Sequence, residues 1–251
     1  MNIHLLGQAL LQLFGLMYAK VKYREKEIDS FISEVDYVLP FEGEWYTANG
    51  GVTKNTSHSW EILPQRFAYD FIIVDEEGKS YCGDNKDLRS YYCYGKDILA
   101  PADGVIVSIK NNFPDCRIMS GGQPDPDTPD IGGNRIVIKH SSNEYSTICH
   151  LIPESITVQK GQMVKKGDII AKCGNSGNTS EPHVHFQVQS TAHFYSCIGF
   201  PILFSNIQKK LYAKYNMVDI RPLPEKEDIK DGYIYRGLLV KNVGFDIHKN
   251  C

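Results

Sequence analysis

No Cys-x-x-Cys pair occurs among the seven cysteines, at 82, 93, 116, 149, 173, 197 and 251. That absence excludes a zinc knuckle and a thioredoxin-type dithiol, and the odd count argues against a complete disulfide framework. Cys149 and Cys173 fall in apolar strand patterns and are expected as buried free thiols. The spacing suggests one disulfide, between Cys82 and Cys93 across a loop. Neither sign of charge dominates: 27 basic against 30 acidic residues give a net charge of -3. An electrostatic footprint for nucleic acid is therefore absent, and the short basic run over 20–26 reads as a solvated face. No His-Glu-x-x-His helix is present, which excludes a thermolysin-type arrangement. Long apolar runs are lacking too. The stretch from Met1 to Ala19 has no basic n-region and is broken by His4, Gln8 and Gln12, so a confident transmembrane span is not expected. Ile3, Leu6, Leu10, Leu13 and Met17 instead fall at helical spacing. They predict an amphipathic helix packed on the domain, with membrane association through residues 1–19 as the rival reading.

The chain does have the length and the turn chemistry for a large β domain. It has 251 residues, 42% of them hydrophobic, enough for a sizeable core. Runs rich in Val, Ile, Tyr and Phe, punctuated by Gly, Pro and Asn, predict strands at 66–74, 104–110, 134–140, 144–151, 155–158, 168–173 and 183–189. This spacing predicts an all-β sheet, sandwich or barrel rather than βαβ units. Residues 206–215 read as weakly helical, and 218–223 and 237–241 as extra strands. The organisation expected is a helical extension over 1–40, a main domain over 41–205 and a C-terminal extension over 206–251. Between two strands, 120–133 reads as a long mobile loop, with Asp125, Asp127 and Asp130 solvated.

Chemistry concentrates in Pro182-His183-Val184-His185-Phe186. A strand has a side-chain period of two, so His183 and His185 share one face while Val184, Phe186 and Val188 fill the other. His150 ends another predicted strand. Asp70 is a lone carboxylate in the apolar run Arg66–Val74. A polar, glycine-containing turn over 174–181 is suited to form a cleft wall. Three histidines and an isolated strand aspartate favour a site over incidental core histidines.

From about Ile98 to Val188 the chain resembles the lysostaphin/LytM-type zinc endopeptidases of bacterial cell walls. The resemblance rests on Ala100-Pro101-Ala102-Asp103-Gly104-Val105, Gly133-Asn134-Arg135-Ile136-Val137-Ile138, His150-Leu151, Val164-Lys165-Lys166-Gly167-Asp168 and Gly174-Asn175-Ser176-Gly177-Asn178, followed by Pro182-His183-Val184-His185-Phe186. It implies a lysostaphin-type β-sheet groove, a zinc ion held by two histidines and an aspartate, and a peptidoglycan peptide as substrate, hence an envelope or secreted location. Carried over residue by residue, Asp70 and His185 are metal ligands and His150 and His183 are catalytic.

One position departs from this family. Its His-x-x-x-Asp spacing lands here on Arg66, which stays protonated and has no lone pair to give a metal. His58 is the substitute ligand expected, returned beside Asp70 by the loop that contains Pro64. This completes a set of His58, Asp70 and His185 for Zn2+. Two rivals stay open on sequence alone. In one, Arg66 marks a degenerate member that binds cell wall or regulates another hydrolase. In the other, the glycine-spaced segments 98–107 and 158–171 belong to a carrier-type binding module.

Overall fold

The computed structural model describes residues 3–22, 28 and 31–244. Among the described residues, helix α1 (Ile3–Lys22) precedes twelve strands. These are β1 (Trp45–Asn49), β2 (Tyr69–Ile72), β3 (Asp97–Leu99), β4 (Gly104–Lys110), β5 (Arg135–Lys139), β6 (Tyr145–Cys149), β7 (Met163–Val164), β8 (Ile169–Lys172), β9 (Val184–Gln189), β10 (Gly199–Phe200), β11 (Ile207–Leu211) and β12 (Leu238–Asn242). Nine of them form one antiparallel path, β11-β12-β1-β2-β9-β6-β5-β4-β7, with β10 added against β9. β3 and β8 make a separate two-stranded ribbon. The fold is all-β, as expected from strand spacing.

Register decides which chemistry appears on which face. Tyr69 is opposite Phe186, Phe186 opposite Ile148, and Ile148 opposite Ile136. That row is fully buried and belongs to the main core. One residue along, Asp70 is opposite His185 and His185 opposite Cys149, while Thr147 is opposite Gln187. A slip of one residue would exchange the two rows, so the apolar row holds the polar one in place. Every residue of β2 and of β9 is buried, which suits strands at the centre of a wide sheet.

Several sequence expectations shift. The strand expected over 66–74 shortens to β2, because Leu63–Gln65 forms a 3-10 turn and residues 66–68 complete the bend. No strand forms at 155–158: Glu154 sits at φ 59° and turns the chain, and Thr157 then gives a single backbone bond to Ile170. The weak helical pattern of 206–215 is overridden by tertiary pairing, since β11 forms a five-residue ladder with β12. Pro222 interrupts the extended stretch 218–223, which opens instead on the helical turn Tyr215–Val218. β12 lies against β1, so the C-terminal residues continue the main sheet.

α1 forms, but not on the face expected. Leu6, Leu10, Leu13 and Met17 are exposed. The helix approaches the body through Gly15, where a Cβ would collide with the Tyr195 carbonyl, and through Leu16. No helix among the described residues is long and apolar enough to cross a membrane. Cys82 and Cys93 are not joined: one is exposed, the other buried, and both are free thiols.

Candidate metal centre

The centre begins with two facing strands. Asp70 on β2 and His185 on β9 are direct cross-strand partners, and His185 Nδ1 lies 3.0 Å from Asp70 Oδ1. The third member arrives from the loop between β1 and the Leu63–Gln65 turn. His58 Nε2 lies 2.9 Å from Asp70 Oδ2, and its side chain is 24% exposed. Ser57 fixes that loop by donating to the Arg66 carbonyl, and Ser59 Oγ lies 2.9 Å from His58 Nδ1. One donor atom from each of His58, Asp70 and His185 falls within 4.8 Å of the others.

Arg66 does not point at this group. It lies on the turn before β2, where its Nε donates to the Trp60 carbonyl at 2.9 Å and its guanidinium stacks 4.7 Å from the Trp60 ring centre. The turn that shortened the predicted strand is what redirects it. A same-face relation between 66 and 70 holds only on a continuous strand, and the strand is not continuous there.

Beside the three donors stand His150 and His183, with ring centres 4.5 Å apart. His150 occupies the left-handed region at φ 64°, sparse for a non-glycine residue and frequent at functional positions. Its Nδ1 is 2.7 Å from the Ser176 carbonyl. His183 Nδ1 is 2.8 Å from the Glu181 carbonyl and 3.1 Å from Thr179 Oγ1. A carbonyl only accepts, so both rings carry their proton on Nδ1 and present Nε2 as the lone-pair atom. His183 Nε2 faces Asp70 Oδ1 at 3.7 Å. The glycine turns hold this pair. At Gly133 and Gly177, φ is positive and the backbones are in mutual contact, so a Cβ on either would strike the other segment. That close approach brings Ser176 to His150.

The electrostatics divide the group in two. Burial opposes ionisation of Asp70, yet the neighbouring His58, first of all by its charge, holds its carboxyl well below the ordinary range. Burial also opposes a charge on His58, and the Asp70 carboxylate overcomes it, raising the imidazole. His150 moves the other way. Burial first, then the neighbouring His183 and His185, keep its pKa well below the ordinary histidine value. His183 is lowered as well, by burial against the pull of Asp70. Two imidazoles are thus neutral near pH 7, and a carboxylate is charged beside them.

These residues fit a cation. His185 Nε2 lies 3.0 Å from Gln187 Oε1. When that contact carries the imidazole proton, Nδ1 turns a lone pair towards a carboxylate oxygen 3.0 Å away. Two acceptors at that distance repel unless a cation is shared between them. Two imidazoles and one carboxylate are also a donor set typical of transition-metal sites.

The five residues line a cleft of about 240 Å³. Gly122 and Pro124 form part of its rim, with Asn178–Ser180 and Phe194. The loop expected to be mobile is pinned. Asp125 is buried and paired with Arg117, and Asp130 is buried and paired with Arg135. Only Asp127 of the three acids is solvated, at 80% exposure. Residues that sequence reasoning passed over support the centre. Asn49 Nδ2 donates to Asp70 Oδ2 at 3.0 Å, and Arg221 donates to Asn49 Oδ1 at 3.0 Å. Neither carried a sequence signal, since both depend on tertiary pairing. Gln187 did carry one: it continues the period-two face of His183 and His185.

Comparison with known proteins gives related findings. Residues 87–196 match the family model described as Peptidase family M23. This segment includes His150, His183 and His185, while His58 and Asp70 precede it. Peptidoglycan DD-endopeptidase ShyB of Vibrio cholerae is 45% identical over 56 residues, 22% of this chain and 13% of that protein. Peptidoglycan DD-endopeptidase ShyA of the same organism is 26% identical over 184 residues, 73% of this chain and 37% of that protein. A solved zinc-containing peptidase from Vibrio cholerae is 20% identical with a TM-score of 0.40, covering 66% of this chain and 39% of that one. The chain therefore spans well under two thirds of the length of these relatives.

Proposed function

We propose for this chain, whose residues 87–196 match the model of peptidase family M23, a zinc-dependent endopeptidase activity on the peptides of peptidoglycan, exercised in the cell envelope. The observation that carries the proposal is the convergence of His58, Asp70 and His185 within 4.8 Å, beside a pair of neutral imidazoles. His58, Asp70 and His185 would hold the ion. Zinc, when bound, supplies Lewis acidity towards a peptide carbonyl and towards water.

The rest of the work falls to this chain's own side chains. The lone pair on Nε2 of His150 or His183 accepts a proton from the attacking water as its oxygen bonds the carbonyl carbon. The resulting N–H returns that proton to the departing amine nitrogen as the C–N bond breaks. The second imidazole, with its proton on Nδ1, stays neutral and offers Nε2 as an acceptor towards the substrate. The carbonyls of Ser176 and Glu181 orient both rings from behind. The rim is lined in part by small residues, Gly122, Gly132, Thr179 and Ser180, which lets a peptide backbone approach closely. The names of the Vibrio cholerae relatives support a D-configured peptide there. The rival reading of a lapsed member rested on Arg66, whose guanidinium is committed to Trp60.

The test is digestion of purified cross-linked muropeptides, followed by mass spectrometry, with zinc measured in the same protein. About one zinc per chain and release of cleaved stem peptides are expected. A zinc-loaded, folded protein that leaves every cross-link and stem intact would reject the substrate class.

A further inference from the structure

β9 carries three polar side chains on one face, His185, Gln187 and Gln189, all of them buried. Buried amides inside a sheet are costly unless each group is partnered, and here the partners form a chain. His185 Nε2 lies 3.0 Å from Gln187 Oε1. Gln187 Nε2 donates to Gln189 Oε1 at 2.6 Å. Gln189 Oε1 also accepts from Thr147 Oγ1 at 2.8 Å, and Gln189 Nε2 donates to the Thr191 carbonyl at 2.7 Å.

The far end of that chain fixes its direction. The Thr191 carbonyl is a backbone acceptor and has no proton to give. Gln189 must therefore turn its NH2 to Thr191 and its oxygen to Gln187. Gln187 must then turn its NH2 to Gln189 and its oxygen to His185. An oxygen facing Nε2 demands a proton on Nε2. The lone pair of His185 is left on Nδ1, the atom that faces Asp70.

We propose that Gln187 and Gln189 are positioning residues that lock His185 in its Nε2–H tautomer by relaying the polarity of the Thr191 carbonyl, so that Nδ1 is ready to ligate a metal before any metal arrives. The proposal rests on the reading of His185 as a metal ligand. A histidine ligand whose other nitrogen is hydrogen-bonded is held in orientation and made more basic, and loss of such a partner typically costs 10–100-fold in metal affinity. The relay differs from a simple acceptor because the second amide, not the first, sets the sign. With Gln189→Met, Gln187 loses the amide oxygen that orients it and keeps only a long contact from Nε2 to Cys197 Sγ, 3.8 Å away. Its amide can rotate to present NH2 to Nε2, which moves the imidazole proton to Nδ1 and blocks the ligating atom.

The experiment is long-range 1H–15N imidazole NMR on the metal-free full chain, paired with zinc affinity measured by chelator competition. For the wild type the His185 spectrum should show the proton on Nε2. Gln189→Met should shift the tautomer towards Nδ1–H and weaken zinc about 10–100-fold, with folding checked by near-UV circular dichroism. A wild-type spectrum with the proton on Nδ1 overturns the proposal without any variant. A Gln189→Met spectrum and affinity equal to wild type overturns the relay as well. The NMR arm needs no metal: an intact Nε2–H tautomer in a protein that binds no zinc would sustain the lock and defeat the metal assignment.

Discussion

On the proposed function, the five residues of the cleft divide into a ligating set and a proton-handling set, and substitution should separate the two. His185→Ala removes a donor, so zinc should fall well below one per chain and hydrolysis should fall to background. His150→Ala and His183→Ala leave the donors intact. Each should keep about one zinc per chain yet lose roughly 10²–10⁴-fold in kcat, the range of a general acid–base group; a parallel loss of zinc in either would reassign it as a ligand. Arg66→Gln should leave zinc stoichiometry unchanged, and loss of its hydrogen bond to the Trp60 carbonyl should cost about 1 kcal/mol. Elsewhere, His140 tests the electrostatics without touching the cleft. Its Nδ1 and Nε2 lie 2.7 Å from the Asp103 carbonyl and from Ser146 Oγ, and burial pushes its pKa down from 6.5 to about 4. The unfolded chain therefore binds a proton that the folded one does not between those values. Stability from this group is present above pH 6.5 and is lost as pH falls towards 4. Urea unfolding of wild type should show a steeper pH slope across that window than His140→Gln, by at most about 1.4 kcal/mol per pH unit.

At the scale of elements, the sheet register and the glycine turns bring the side chains together. Gly177 has φ 96°, and its Cβ would meet the Gly133 backbone. Gly177→Ala should destabilise the fold by roughly 2 kcal/mol or more, and through Ser176 it should also disturb the His150 ring in NMR spectra. Period-two reading made His183 and His185 legible in the sequence, because strand geometry alone places them together. The strand expected over 66–74 did mislead: the Leu63–Gln65 turn shortens it, so 66 and 70 do not lie on one continuous strand. His58 was legible only as the histidine nearest to Asp70 in sequence, since its place depends on a loop closing onto another element. The helical pattern of 206–215 failed for a related reason, with β12 supplying a partner that no local window contains. Asn49 and Arg221 were illegible on the same ground, being joined to Asp70 across the β1–β2 pairing and from the chain's far end.

For the whole molecule, the sheet runs from the C-terminal strands through the candidate metal centre to β7. Ile234, Leu238 and Val240 are buried in the main core, and β12 covers the edge of β1, where Trp45 is buried. A chain ending at residue 205 should therefore fail to fold as a stable unit. Three buried side chains at about 1.5–3 kcal/mol each amount to a large part of an ordinary domain's 5–15 kcal/mol, and the exposed edge invites aggregation. Limited proteolysis and circular dichroism would check this. A shortened chain as protease-resistant as the full one would contradict the role given to β12.

The most direct measurement is anomalous diffraction at the zinc edge from crystals of the zinc-loaded full chain. A single strong peak in ligating contact with His58, Asp70 and His185, with Arg66 still stacked on Trp60, is the result expected. A peak elsewhere, or a peak at Asp70 and His185 from which His58 stands away, would contradict the centre described.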